Sequence, residues 1–272
     1  MSQLYGKIKM YAGAALMLAL FACATVPVTG RQTLNIISDS ELMTMSFQQY
    51  REVINKSKLS QDPARVQMIR RVGQRVAGAT EDFLRQQGMP QEISKYKWEF
   101  NLIDDDKTIN AWCMPGGKVA FYTGIIPVAQ NDAGIAVVMG HEIAHAIAKH
   151  GNERMSQSLL AQLGAAGLSA ALAKSPAGTK DVFMNVYGVG ANVGFLLPFG
   201  RVQELEADRI GLILMAKAGY DPRQAIPFWQ RMSRSSSGGR PPALLSTHPV
   251  PETRIQDIQA ALPEALRYYK AK

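Results

Sequence analysis

His141-Glu142-Ile143-Ala144-His145 decides how this chain reads. On an α-helix, residues four apart differ by 400°, or 40° after a full turn, so both imidazoles leave the same side. A tetrahedral zinc needs that geometry from two of its ligands, and Glu142 beside them can accept a proton from a water on the metal. The flanks read as a buried helix over 131–150. Asn131-Asp132 offers an N-cap, Ile135, Val137, Val138 and Met139 lead in apolar, and Gly151 stands at a C-cap position. The bland alternative is a helix that carries two histidines by accident, and a third ligand elsewhere separates the two readings.

Arg201-Val202-Gln203-Glu204-Leu205-Glu206-Ala207-Asp208 is the better source of that ligand. Glu204 and Asp208 are four apart and share a face, while Glu206 lies about 200° from Glu204. One acid can bind metal while the other accepts a hydrogen bond from the far nitrogen of a ligand histidine, which sets ring orientation and basicity. Taken alone, the segment reads as a solvated acidic face. His150, nine residues after His141, falls on the opposite face of the same helix and reads as a cation at its C-terminus. His248, before a proline, reads by itself as a loop histidine.

Upstream of the histidine helix the period changes from helix to strand. Trp98, Phe100 and Leu102 alternate with Lys97, Glu99 and Asn101 as in a half-buried strand. Asp104-Asp105-Asp106 reads as a solvated turn. Pro115-Gly116-Gly117 marks a second turn, whose flanks can pair as a hairpin. The edge of segment 110–123 is expected to bind the substrate backbone as an added strand, through Val119, Ala120 and Phe121. Trp112, Cys113 and Met114 read as packing residues. Helices are expected over 39–55, 63–87, 153–173 and 201–218, after Asp221-Pro222, and from near Pro251, with a loop over 233–242. The apolar, glycine-rich stretch 181–198 reads as a buried or pocket-covering segment. The class is α+β: a mostly helical, zincin-like domain with a small sheet before the histidine helix.

The N-terminus reads as an export signal. Lys7 and Lys9 precede an apolar or small run from Met10 to Ala22, and Leu20-Phe21-Ala22-Cys23 resembles a bacterial lipoprotein cleavage site. The run is short for a membrane span. The expected organisation is a signal peptide over 1–22, lipid on Cys23, an extended tether over 23–37, and one metallopeptidase domain over 38–272. Cys113 is then the one thiol left, which excludes an internal disulfide. The net charge of +8 includes Lys7 and Lys9, and the remaining basic residues are scattered. That speaks against nucleic acid and for an anionic membrane surface.

Together, these residues resemble the zinc metallopeptidase family that includes the CAAX prenyl proteases, HtpX and the mitochondrial Oma-type proteases. His141-Glu142-x-x-His145 and Glu204-x-x-x-Asp208 carry the likeness. So do Asn110-Ala111-Trp112-Cys113-Met114-Pro115-Gly116-Gly117-Lys118, Glu204 to Gly211, and Ser246-Thr247-His248-Pro249 with Arg254. The likeness spans about 33–260, and Cys23 to Gly30 is similar to the tether of the periplasmic lipoprotein branch. The resemblance implies one Zn2+ per chain on His141, His145 and Glu204, with Glu142 as general base and acid and Asp208 orienting a ligand histidine. It implies that His248 and Arg254 stabilise the oxyanion, or that His248 reaches the metal instead. It further implies a metalloendopeptidase in the bacterial periplasm, lipid-anchored, with the outer membrane favoured. Its duty would be quality control of unfolded or misassembled envelope proteins. The alternative is a chaperone or assembly factor for outer-membrane proteins that uses the same groove with little proteolysis.

Overall fold

The computed structural model describes residues 23–172, 176–187, 199–235, 242–248 and 253–270. The expected signal peptide therefore lies outside the described residues. Within the segment expected as an extended tether, the chain forms a hairpin. β1 (Cys23–Thr25) pairs antiparallel with β2 (Gln32–Leu34), Cys23 opposite Leu34. Val28 and Gly30 at φ 72° and 68° turn the chain back. Val26 and Thr33 are buried, so the hairpin is docked on the body.

Two helices follow over nearly the expected spans. α1 (Asp39–Lys56) is capped by Ser38, which accepts the Glu41 N–H, and buries Leu42, Tyr50 and Val53. α2 (Pro63–Gln86) starts with Pro63 in its first turn, and Asp62 caps Ala64 and Arg65. Its inner face carries Ile69, Val72, Val76 and Phe83.

The sheet contains β3 (Glu99–Ile103), β4 (Ala111–Met114) and β5 (Lys118–Tyr122) in the order β3-β5-β4. The β4–β5 hairpin turns at Gly116 and Gly117, with φ of 82° and 80°, and a Cβ on Gly117 would strike the Trp98 ring. β5 also pairs in parallel with β3, Phe100 opposite Val119 and Leu102 opposite Phe121. This corrects one expectation. Val119, Ala120 and Phe121 occupy the central strand and are fully buried, so both of their backbone edges are taken. The strand left with an open edge on the site side is β4. The Asp104 to Asp106 turn is bonded internally through Asp105 to Lys107 and Thr108.

α3 (Asp132–Ile147), capped by Asn131 at 2.9 Å, is buried almost all round, as a helix at the centre of a core must be. It stops three residues before His150, because Lys149 adopts φ 56°. α4 (His150–Leu172) starts immediately after. Gly151 is therefore not a C-cap but part of the first turn of α4, where a Cβ would collide with the Tyr187 hydroxyl. α5 (Pro176–Tyr187) buries Val182, Phe183 and Val186; the rest of the apolar stretch, 188–198, lies outside the described residues. α6 (Arg201–Lys217) ends before Gly219 at φ 85°. α7 (Ala225–Arg234) and α8 (Arg254–Leu266) close the core, with Phe228, Trp229 and Ile258 buried. Among the described residues, no helix is long and apolar enough to cross a membrane.

α3 and α6 meet without side chains between them. A Cβ on Gly140 would lie 2.7 Å from the Gly211 carbonyl oxygen, and one on Gly211 would lie 2.8 Å from the His141 nitrogen. Both crossing points thus require glycine, and the backbone contact brings the two acid- and histidine-bearing helices together.

Candidate metal centre

Each helix delivers its side chains to one buried point. His141 and His145 come from α3, Glu204 from α6, and His248 from the residue after the short helix Ala243–Thr247; all four are at most 4% exposed. One donor atom from each lies within 4.8 Å of the others. His141 Nε2 is 3.1 Å from His145 Nε2, 3.2 Å from His248 Nδ1 and 3.5 Å from Glu204 Oε2. Glu204 Oε1 is 3.3 Å from His145 Nε2 and 2.9 Å from His248 Nδ1.

Hydrogen-bond partners on the far side of each ring assign the tautomers. His141 Nδ1 is 2.9 Å from Asp208 Oδ1, so it donates there and leaves a lone pair on Nε2. His145 is served by a relay that runs through His150. His150 Nε2 donates to Glu206 Oε2 at 3.1 Å. The Nδ1 of neutral His150 can then accept from His145 Nδ1 at 2.9 Å, which leaves a lone pair on His145 Nε2 as well. Burial, working against Glu206, holds the His150 ring toward its neutral form. Burial also pushes His145 well below its ordinary value, although Glu204 opposes this.

Two imidazole lone pairs and a carboxylate therefore face one another in a buried space. That arrangement is unfavourable unless a cation lies among them. Ligands about 2.0–2.2 Å from a tetrahedral zinc stand roughly 3.3–3.6 Å apart, and nitrogen with carboxylate oxygen suits zinc. The donor set fits. At His141, burial opposes charge, but Glu204 and Asp208 outweigh it and push the ring up to about 9. A bound cation would take the place of that proton.

Glu142 stands beside the donors. Its Oε1 is 3.4 Å from His248 Nε2, and burial raises its carboxyl above the ordinary range. A raised carboxyl pKa is what a proton carrier working near neutrality needs.

Arg254 is placed differently from expectation. Its guanidinium, 1% exposed, stacks 3.5 Å over Trp229 and donates to Glu204 Oε2 at 3.0 Å and to Asp208 Oδ1 at 2.7 Å. It holds Glu204 and Asp208, so its guanidinium is already engaged by the donor side chains. His248 is a fourth member of the cluster, which corresponds to the alternative role for that residue.

Sequence reasoning missed His150 and Glu206. The break at Lys149 rephases the chain, so His150 turns toward His145 rather than away from it. Nothing in Ala148-Lys149-His150 announces the break. Arg31 completes this second layer. Its Nη2 is 2.7 Å from Glu206 Oε2 and its Nη1 is 2.6 Å from Glu153 Oε1. Burial would raise Glu206, but the bonds from His150, Arg31 and Thr29 outweigh it and hold Glu206 down at about 2.

Four convergent donors, a buried glutamate beside them and an open strand edge alongside are the arrangement of the HExxH class of metal-dependent hydrolases. Residues 63–262 match Peptidase family M48, and the chain belongs to that family of zinc metallopeptidases. It is 34% identical over 249 residues to the mitochondrial metalloendopeptidase OMA1 of Schizosaccharomyces pombe, covering 88% of this chain and 66% of that protein. It is 31% identical to the Bos taurus metalloendopeptidase OMA1, covering 89% and 46%. The beta-barrel assembly-enhancing protease of Escherichia coli K12 is 28% identical over 241 residues, covering 86% and 46%. The chain spans 46–66% of the length of these relatives.

Proposed function

We propose that the chain is a lipid-anchored zinc metalloendopeptidase that cleaves unfolded or misassembled proteins of the bacterial envelope. The observation that carries the hydrolytic reading is the four-donor cluster with Glu142 against it. His141, His145 and Glu204 would hold one zinc. When bound, the zinc polarises the scissile carbonyl and acidifies a coordinated water. Glu142 takes that proton and returns it to the leaving amine. Asp208 and the His150 relay keep the two ligand histidines in their lone-pair tautomers, and Arg254 fixes Glu204. Were His248 to join His141, His145 and Glu204 as a ligand, it would take the position a water needs, and hydrolysis would require it to give way.

The substrate backbone would add to β4. Tyr122 N–H donates to Asn110 O at 3.1 Å, and alternation along the hairpin then turns the N–H and C=O of Cys113 outward. Asn110 to Met114 line the same pocket as Glu142 and His145. Export and lipid on Cys23 rest on Lys7, Lys9 and the Met10 to Ala22 run. A relative named for β-barrel assembly supports envelope proteins as clients, although the OMA1 relatives are mitochondrial.

The test incubates the zinc-loaded chain with an outer-membrane β-barrel protein, either unfolded or folded in detergent. Cleavage of the unfolded form alone, abolished by a zinc chelator and restored by zinc, is expected. No cleavage at full zinc occupancy would refute the reading. In the same assay Cys113→Pro, which removes the outward N–H, should raise KM about tenfold.

The relay has its own check. His150→Phe keeps the volume but removes the acceptor, and should weaken zinc binding about 10–100-fold in competition with a chromophoric chelator. Unchanged affinity would show that His145 needs no such partner.

A further inference from the structure

Among the described residues, Arg154 carries a buried charge that no carboxylate answers. It lies one turn along α4 from His150 and is 5% exposed. Its Nη2 makes a single long bond, 3.4 Å to the Val186 carbonyl. Its Nε and Nη1 have no hydrogen-bond partner, and no carboxylate pairs with it among the described residues. Burial pushes its pKa down to about 10, which leaves it charged at neutral pH. A buried, unpaired guanidinium is costly, and folded chains keep such groups where something else meets them.

Its position says what that would be. Arg154 lines the pocket that also holds Glu142, His145, His248 and the β4 edge. The Phe199 ring lies between it and the donor cluster, 3.9 Å from the guanidinium on one side and 3.9 Å from the His145 ring on the other. A peptide laid along β4, with its scissile carbonyl at the metal, would bring a flanking residue against that ring and its cation. Two acids stand in the vicinity. Glu204 is held by Arg254 and the metal site, and Glu142 faces His248. Among the described residues the Nε and Nη1 of Arg154 therefore remain available to an incoming anion, and a guanidinium matches a carboxylate.

We propose that Arg154 forms a specificity subsite that receives a carboxylate of the substrate, from an aspartate or glutamate side chain beside the scissile bond or from the chain's own C-terminus. The proposal rests on the peptidase reading of the centre. Within the site, Arg154 selects which bond is presented and takes no part in bond breaking.

The experiment reads binding without turnover. Short peptide hydroxamates, which anchor on zinc, carry aspartate, asparagine or leucine at the flanking position, each as free acid and as C-terminal amide. Their Kd values are measured by calorimetry on the zinc-loaded wild-type chain, Arg154→Met and Arg154→Lys. The aspartate probe should bind about 10–100-fold more tightly than the asparagine probe. That preference should vanish in Arg154→Met and partly survive in Arg154→Lys. If the terminal carboxylate is the one received, the preference will follow free acid over amide instead. Equal affinity for acids and amides in the wild type, a preference that persists in Arg154→Met, or failure of every probe to bind overturns the proposal. Probe binding with the expected preference, but no cleavage of matched peptides, would uphold the subsite and refute the hydrolytic function.

Discussion

Glu142→Gln is expected to lower kcat about 10³-fold while zinc content stays unchanged. Glutamine has the shape of glutamate but cannot take a proton from water or return one to the leaving amine. The substitution should cost little stability. Glu142 Oε1 makes no hydrogen bond and lies 3.4 Å from His248 Nε2. Turnover of a quenched fluorescent peptide, measured beside metal content, separates loss of proton transfer from loss of metal. Retained turnover would remove Glu142 from the chemistry. The same variant distinguishes the two readings of the groove. His141→Ala should lose both metal and peptidase activity. If β-barrel assembly in cells survives Glu142→Gln but not His141→Ala, the zinc-loaded groove is acting by holding clients rather than by cutting them.

Gly211→Val is expected to be the most damaging single change outside the donors. A Cβ there lies 2.8 Å from the His141 nitrogen, and the contact is with backbone, which cannot swing aside. Valine adds two further carbons, so α3 and α6 must separate. Overpacking of this kind costs about 1–3 kcal/mol or more. The damage to function should be larger, because the separation moves Glu204 away from His141 and His145 together. Zinc affinity should fall by more than about 100-fold, a loss of about 2.7 kcal/mol, along with a lower Tm. Gly211→Ala should shift both in the same direction by less. Gly78, in α2, provides the control. A Cβ there meets nothing within 4 Å, and Gly78→Ala should stabilise the chain by about 0.5–1 kcal/mol. Equal behaviour of the two alanine variants would show that the helix crossing tolerates a side chain.

What could be read from the sequence was what depends on local spacing. His141 and His145 share a face because they are four apart, and Glu204 and Asp208 for the same reason. The Pro115-Gly116-Gly117 turn announced its hairpin because glycine alone accepts those φ values cheaply. What could not be read depends on contacts between distant residues or on unusual conformations of ordinary ones. The parallel pairing of β3 with β5 buries Val119 to Phe121 and hands the open edge to β4, and no pattern within 110–123 states that. Lys149 enters the left-handed region without the glycine that would signal it, and that one residue decides which way His150 points. Arg31 meets Glu153 and Glu206 across 122 and 175 positions of chain. Arg254 was found, but its role was not. Its bonds to Glu204 and Asp208, and its packing on Trp229, show that it braces the donors.

The docked N-terminal hairpin has a consequence for reach. Cys23 is paired to Leu34 at the edge of a folded body, and Arg31 fastens that hairpin beneath the metal centre. Were lipid carried on Cys23, there would be no leash between bilayer and enzyme. The body would ride against the membrane like a boat moored at the bow, its mouth held at one height, and its catch limited to chains that come within roughly 50 Å of the lipid surface.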